Sequence, residues 1–561
     1  MADRTMATTA LHPVTTSGRW IGPRTRPRMS WVTEPLGSSA TVGVVIVPPL
    51  GYEYWSSHRT LRSLAERLAA AGNRVLRFDF DGTGDSSGDQ WDPARLETWR
   101  SDIAHATKAL FEWDTARLVV VGLRMGATLS LMTGGELDAD AVVAWDPIVK
   151  GRRYVKELKL LGQQVPDSQD ALERAGSIVV AGSVFAAETL ADLGAIDLAT
   201  LPNRPAPSVL VIDREDKPSS GVLLERLNGL GVAWDHSVCR GTELMLDQPT
   251  EYATVPGNII DEICRWVGPG PVEAGKTKVV VPPRTTATIE WQGRAVDEEV
   301  VCLGELGLVG LHTRSVGTSR ATVLWLNSGS EHHVGPGRAW VEYARDLALI
   351  GFSSVRMDFS GWGESPDLGH APGRPYDQHG VTEVADAVAA LRGLGHQRVV
   401  LAGLCAGAWI ALKAALNVEV DGVVAINPQM YWQPGDPKEA DIVTETRVRR
   451  LPEIRRNKRF RSIGVWSLLH GVGLRHPAAV WLKELERLPT PIIAFFVEGD
   501  DGLEFLQDRT GWAWRRAQRQ RHIGCATVPD IDHSMRQHWH RTIMIDAIGG
   551  WLDTTMPIDG H

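Results

Sequence analysis

Long apolar runs are missing from this chain. Nothing approaches the roughly 18 uninterrupted apolar residues of a membrane span, and the opening MADRTMATTALHPVTTSGRW lacks the apolar stretch of a secretory signal. Cysteine is scarce and scattered. Cys239, Cys264, Cys302, Cys405 and Cys525 make an odd set with no C-x-x-C pair, so neither a disulfide framework nor a zinc site is supported, and no metal is expected. An excess of basic residues is missing too. The 59 Lys and Arg against 68 Asp and Glu give a net charge of −9, which favours solubility and argues against a general nucleic-acid binder. The expectation is a cytoplasmic protein in a reducing compartment. Its 561 residues exceed what one core accommodates, so two or more domains are expected.

What is present is a repeat. NRVLRFDFDGTGDSSGD (73–89) is matched by SSVRMDFSGWGESPD (353–367). Each follows an amphipathic helical stretch, TLRSLAERLAAAG or VEYARDLALIG, and before that an apolar strand, VGVVIVPPLG or ATVLWLNSGS. Each then leads through a helical segment to a VV-x-x-G strand. VVVGLRMGATLSL and VVLAGLCAGAWIAL follow, and the copies stay parallel to PSVLVIDREDKP and PIIAFFVEGDDG, then to VCRGTELM and VPDIDHSM. Strand, helix, strand, helix, strand, sharp turn, helix indicates a mostly parallel α/β sheet flanked by helices.

The repeat unit is a domain of about 270 residues. Residues 1–35 lack periodicity and are set apart as an N-terminal extension that is either partly disordered or an extra edge strand. A first domain spans 36–268. WVGPGPVEAGKTK, rich in Gly and Pro, marks a linker at 269–280, and a second domain spans 281–561. Helix-rich inserts at about 147–206 and 429–490 read as lids.

Gly403-Leu404-Cys405-Ala406-Gly407 fits the nucleophile elbow G-x-S-x-G of α/β-hydrolases, with cysteine in the serine slot. Glycines at 403 and 407 leave room for the strained turn. Position 405 opens a helix, whose dipole favours a thiolate; the alternative is a buried structural cysteine. The base is expected late in the chain, and the repeat selects His533 over His522, His538 and His540. The orienting acid is expected after IIAFFV, at Asp500 or its neighbour Asp501, with Asp500 preferred. Nucleophile, acid, histidine is the chain order these hydrolases use. The backbone N–H groups of Ala406 and Ser330 are the expected oxyanion hole.

In the first copy Arg124 stands in the nucleophile slot, Glu243 aligns with His533, and Glu215 and Asp216 occupy the acid region. A guanidinium is no nucleophile. The expected replacement is a buried Arg124–Glu243 ion pair; the alternative is an Arg124 open to the cleft and binding an anion.

At these motifs the chain resembles the serine-aminopeptidase-like α/β-hydrolases, in particular the two hydrolases associated with exosortase systems. The second copy (NSG-x-x-HHVGPGR, ARDLALIGF-x-x-VRMDFSGWGES) is similar to one of them. The first (PP-x-GYE, LAERLAAAG, LRFDFDGTGDS, GLRMGA, VIDRED) is similar to the other, which commonly carries arginine at its elbow. The resemblance covers most of both domains and implies two tandem α/β-hydrolase folds, each with a helical lid, and a hydrolase. Cys405 departs from the family's serine, and a Cys-His-Asp set is similar in residue types to dienelactone hydrolases.

A thiolate suits esters, thioesters and lactones better than plain amides. Three readings follow: a cysteine-dependent acyl hydrolase, an acyltransferase or cyclase with an amine or alcohol acceptor, and a non-catalytic scaffold. The arginine-rich stretch RVRRLPEIRRNKRFR (447–461), near Trp432 and Trp466, is either a solvated helix face or a dock for an acidic carrier protein, a CoA or phosphopantetheine phosphate, or an anionic substrate. GTGDSSGD is not a phosphate cradle, because it matches GWGESPD. The expected partner is a small-molecule acyl substrate, carrier- or CoA-linked in one version, with no nucleic acid and no cofactor. The first copy is left to shape its partner's entrance, to offer a docking surface or to hold a homodimer together.

Overall fold

The computed structural model describes residues 12–36, 39–113, 115–162, 176–248, 250–270, 272–273, 282–329, 331–370, 375–430, 477–529, 531–535 and 537–558. Ser330, the arginine-rich stretch 447–461, Trp432, Trp466 and most of the linker at 269–280 lie outside the described residues. The chain divides into two compact units, 1–295 and 296–561.

In the first unit the sheet order is Val14–Ile21, Arg28–Pro35, Arg74–Phe78, Val42–Val47, Arg117–Leu123, Ala141–Trp145, Ser208–Arg214, Ala233–Cys239. Numbered along the chain, that is 1-2-4-3-5-6-7-8. Arg28–Pro35 runs antiparallel to both neighbours, and every later pairing is parallel. Residues 14–35 are thus the first two strands of the sheet, not an extension outside the domain. Their apolar residues are dispersed among Thr, Ser and Arg, which hid the period from the sequence. The second sheet has nine strands, and behind an extra edge strand, Thr286–Trp291, it repeats the order: Arg294–Leu303, Leu308–Thr313, Ser353–Met357, Thr322–Trp325, Val399–Leu404, Gly422–Ile426, Ile492–Val497, Ile523–Val528. Leu308–Thr313 is its antiparallel strand.

The central strands read as unbroken apolar runs because helices cover both faces. VGVVIV, VVLAGL and IIAFFV are buried at every position. Leu61, Leu64, Ala65 and Leu68 place one face of helix Tyr52–Ala70 on the sheet. That helix and its counterpart Ala339–Leu349 end alike. Gly72 (φ 93°) and Gly351 (φ 89°) take the left-handed conformation that lets the next N–H reach back to the carbonyls of Leu68 and Leu347.

The insert of the first unit is only partly helical. Between helices Gly151–Gly162 and Ala187–Ala195 lies a hairpin, Ile178–Val180 with Ser183–Phe185. Tyr154, Leu158, Phe185, Leu190 and Leu193 seat it on the core. Of the second insert, helix Pro477–Leu485 is described, with Trp481 edge-on to Trp409 at 5.8 Å.

The loop after each fourth strand is a clamp on an aspartate. Asp79 accepts from Asp85 N, and Asp358 from Glu364 N. Ser86 and Ser365 hydroxyls donate to the Asp79 and Asp358 carbonyls. A Cβ at Gly84 would stand 2.2 Å from the Asp79 carboxyl, and one at Gly363 1.9 Å from that of Asp358. Gly363→Ala, also at φ 44°, is expected to destabilise the second unit by about 2 kcal/mol or more. Gly393→Ala, where a Cβ meets nothing within 4 Å, serves as the neutral control. Urea midpoints of the two variants check this.

Candidate active site

The strand Val399–Leu404 and helix Ala406–Ala414 meet at Cys405, whose φ of 56° and ψ of −108° are strained for a side chain with a Cβ. Its N–H donates to the Ile426 carbonyl at 2.9 Å. A Cβ at Gly403 would stand 2.5 Å from the Gly407 backbone, and one at Gly407 2.7 Å from the Asn327 carbonyl. The two glycines therefore let strand, turn and the loop after Thr322–Trp325 close on each other.

Asp500 caps helix Asp501–Phe505, accepting from Gly502 N and Leu503 N at 2.8 and 3.3 Å, and its side chain is 1% exposed. Its second oxygen accepts from His533 Nδ1 at 2.6 Å. Asp501, the adjacent alternative, is exposed on the first turn of that helix. Asn427 donates to the His533 carbonyl at 3.0 Å and anchors the loop. Cys405 is the second group acting on the imidazole. Burial pulls the imidazolium down, but the bonds and charges of Asp500 and Cys405 outweigh it and raise His533 to about 10. With 38% of its side chain exposed, His533 remains open to an incoming molecule. His540 lies apart, beside Asp532.

Ala406 opens its helix, so its N–H has no acceptor within the helix. Facing it is the turn at Ser328 and Gly329, followed by Ser330, which falls outside the described residues. Asp358 holds this turn from below, accepting from Asn327 Nδ2 at 2.9 Å, His333 N at 2.7 Å and His333 Nδ1 at 2.5 Å. Burial alone would raise Asp358; the charge and hydrogen bond of His333 overcome it and hold the carboxyl down at about 2. In the first unit Tyr54 OH takes the place of His333 against Asp79, at 2.7 Å. Sequence reasoning quoted both motifs, DFSGWGES and HHVGPGR, without seeing that one pins the other. It also missed Tyr376, whose hydroxyl stands 3.3 Å from Cys405 Sγ. Tyr376 directly precedes the N-cap of helix Gln378–Gly393, and the residue before the N-cap of the corresponding helix Arg95–Phe111 is Pro93.

Arg124 sits on the same backbone, at φ 55° and ψ −119°, its N–H on the Trp145 carbonyl at 2.9 Å. The expected pair with Glu243 does not form. Glu243 folds onto its own turn and accepts from Gly241 N at 2.9 Å. Arg124 instead meets Glu53 at 2.7 Å, Glu157 at 3.3 Å and Asp146 at 3.4 Å. Glu53, 1% exposed at the start of helix Tyr52–Ala70, is already beneath the elbow, which is why it wins. Burial pushes Glu53 up to about 7 and Asp146 up to about 6 despite Arg124, while burial of Arg124 is outweighed by its three carboxylates, which raise it. Asp216 is bound to Arg214 at 3.0 and 2.9 Å, away from the elbow's guanidinium. Asp146 N meets the Ile212 carbonyl as Asn427 N meets that of Phe495. Counting five residues on from each contact puts Lys217 where the second unit has Asp500.

Strand order, elbow and loop positions define an α/β-hydrolase fold in each unit. Residues 324–560 match a family model described as alpha/beta hydrolase family, and residues 51–182 one described as serine aminopeptidase, S33. A curated relative, rhodomycin D methylesterase DauP of Streptomyces sp. (strain C5), is 32% identical over 136 residues, 19% of this chain and 45% of that protein. The match therefore spans under half of the relative's length. Among solved structures, Est1E of Butyrivibrio proteoclasticus with ferulic acid is 14% identical, with a TM-score of 0.36 over 44% of this chain and 97% of that one. Dienelactone hydrolase from Anabaena variabilis is 15% identical, with a TM-score of 0.32 over 46% and 98%. At these identities the likeness is one of fold alone. Among the described residues no helix is long and apolar enough to cross a membrane.

Two outcomes are expected. Arg124→Met strands three carboxylates and should cost the first unit about 3–5 kcal/mol in chemical denaturation. His533→Ala removes the base beside Cys405 and should slow iodoacetamide labelling of Cys405 at pH 7, followed by peptide mass mapping.

Proposed function

We propose that the second unit is a cysteine-dependent acyl hydrolase acting on an ester, thioester or lactone. The observation that carries this reading is one imidazole bonded to buried Asp500 at 2.6 Å and held up by both Asp500 and the elbow's Cys405. The match to hydrolase family models and the methylesterase relative support it.

In this mechanism His533 takes the Cys405 proton and the sulfur adds to the acyl carbonyl. The new oxyanion lies against Ala406 N–H and the turn that Asp358 pins. The C–O or C–S bond to the leaving group breaks, and His533 returns the proton to that alcohol or thiol. Water, deprotonated by His533, then adds to the acyl thioester, and the cysteine leaves as the acid forms. The first unit, with a saturated guanidinium at its elbow, takes no part in this chemistry.

Beside the elbow, Gly329, Ala406, Phe359, Trp362, Ile410, Asp377 and His379 line a pocket that encloses only about 10 Å³. That is about the space of one water, which favours a short acyl group over a long one. Acetyl to butyryl thioesters and esters should be hydrolysed with higher kcat/KM than octanoyl ones, and Ile410→Ala should move the preference to longer chains. Cys405→Ala should abolish turnover. Turnover by that variant at the wild-type rate would overturn the proposal, and acyl transfer to an added amine in preference to water would make the unit a transferase.

A further inference from the structure

Tyr376 stands just before Asp377, the residue whose side chain caps helix Gln378–Gly393. Its ring is buried and edge-on to Trp409 at 5.8 Å, and Trp409 in turn packs on Trp481. The phenol is thereby held in one place. Its oxygen lies 3.3 Å from Cys405 Sγ and 2.7 Å from Gln429 Oε1. The Tyr376 phenol is thus on the reacting sulfur, and His533, held by Asp500, is the second group coupled to it.

A phenol has one proton to give. While Cys405 is a thiol, the proton goes to the Gln429 carbonyl and the phenol oxygen faces S–H. Once the thiol proton has passed to His533, the sulfur is an anion that can only accept. Turning the Gln429 amide end over presents its NH₂ to the phenol oxygen and leaves the phenol proton for the sulfur. The chain of donors then runs from Gln429 through Tyr376 to the thiolate, with the imidazolium as the second donor.

We propose that Tyr376 is a catalytic residue of this site, donating its hydroxyl hydrogen bond to the Cys405 thiolate with Gln429 behind it, so that the thiolate–imidazolium pair is formed before substrate arrives. This rests on the acyl-hydrolase reading of Cys405. It also accounts for the thiol at an elbow where serine is usual. A phenol titrates near 10, above a thiol near 8.5, so it hydrogen-bonds a thiolate without protonating it. A serine alkoxide is far more basic than a phenolate, so the same phenol would quench it.

The test needs no substrate, so it stands or falls separately from acyl turnover. Iodoacetamide labelling of Cys405 is followed from pH 5 to 9.5 by peptide mass mapping in the full chain, with Cys239, Cys264, Cys302 and Cys525 as internal references. Tyr376→Phe keeps the ring against Trp409. It should lower the labelling rate about tenfold at pH 6, as expected for one hydrogen bond to a charge, and leave it unchanged or faster at pH 9. Gln429→Leu should shift the profile in the same direction by less. A profile of unchanged midpoint in Tyr376→Phe, scaled equally at every pH, would overturn the proposal and leave Tyr376 a packing residue. Faster labelling at every pH would also overturn it, making the phenol a shield. If the profile shifts as expected and no acyl donor turns over, Tyr376's role stands and the acyl-hydrolase reading fails.

Discussion

A residue forced to φ near +55° at the end of a parallel strand decides what each unit holds above its sheet. The turn is tolerated because its flanking glycines carry no Cβ, so the helix after the turn can press against the loop from the neighbouring strand. Everything on the site follows from that contact. The first helical N–H faces a second backbone turn, and the side chain at the elbow is lifted clear of the sheet. The strands beyond deliver an acid and a histidine from the carboxyl ends, where loops of open α/β sheets gather ligands.

The two units load this frame with opposite electrostatics. In the second, one buried carboxylate holds an imidazole that meets a thiol, and a proton can move along the line. In the first, a fixed cation meets Glu53, Asp146 and Glu157, and no proton needs to move. A guanidinium never deprotonates in such surroundings, so the first elbow is an electrostatic fastening, its strain held by the ion pairs around it. The clamp on Asp79 and Asp358 persists in both because it positions backbone, which either use of the elbow requires.

Much of this was legible in residue order because the constraints are local. A strand ending in G-x-x-x-G has few ways to continue, and the repeat located His533 by its counterpart. What was not legible depends on direction and distance. Asp500 and Asp501 differ only in where consecutive side chains point, and only Asp500 turns to His533. Glu53 reaches Arg124 across 71 residues, whereas the alignment pointed to Glu243. Tyr376 stands where the first copy has Pro93, ahead of the corresponding helix, so the repeat could not single it out. The first two strands, TTSGRW and RMSWVT, carry too few apolar residues in period to be told from an extension.

The most direct measurement is a mass spectrum of the full chain quenched in acid within seconds of mixing with an acetyl thioester. The account predicts one acetyl group on the peptide bearing Cys405, lost on further incubation and absent from Cys405→Ala. An acetyl group on any other residue at the same rate, or equal hydrolysis by Cys405→Ala without an adduct, would contradict it.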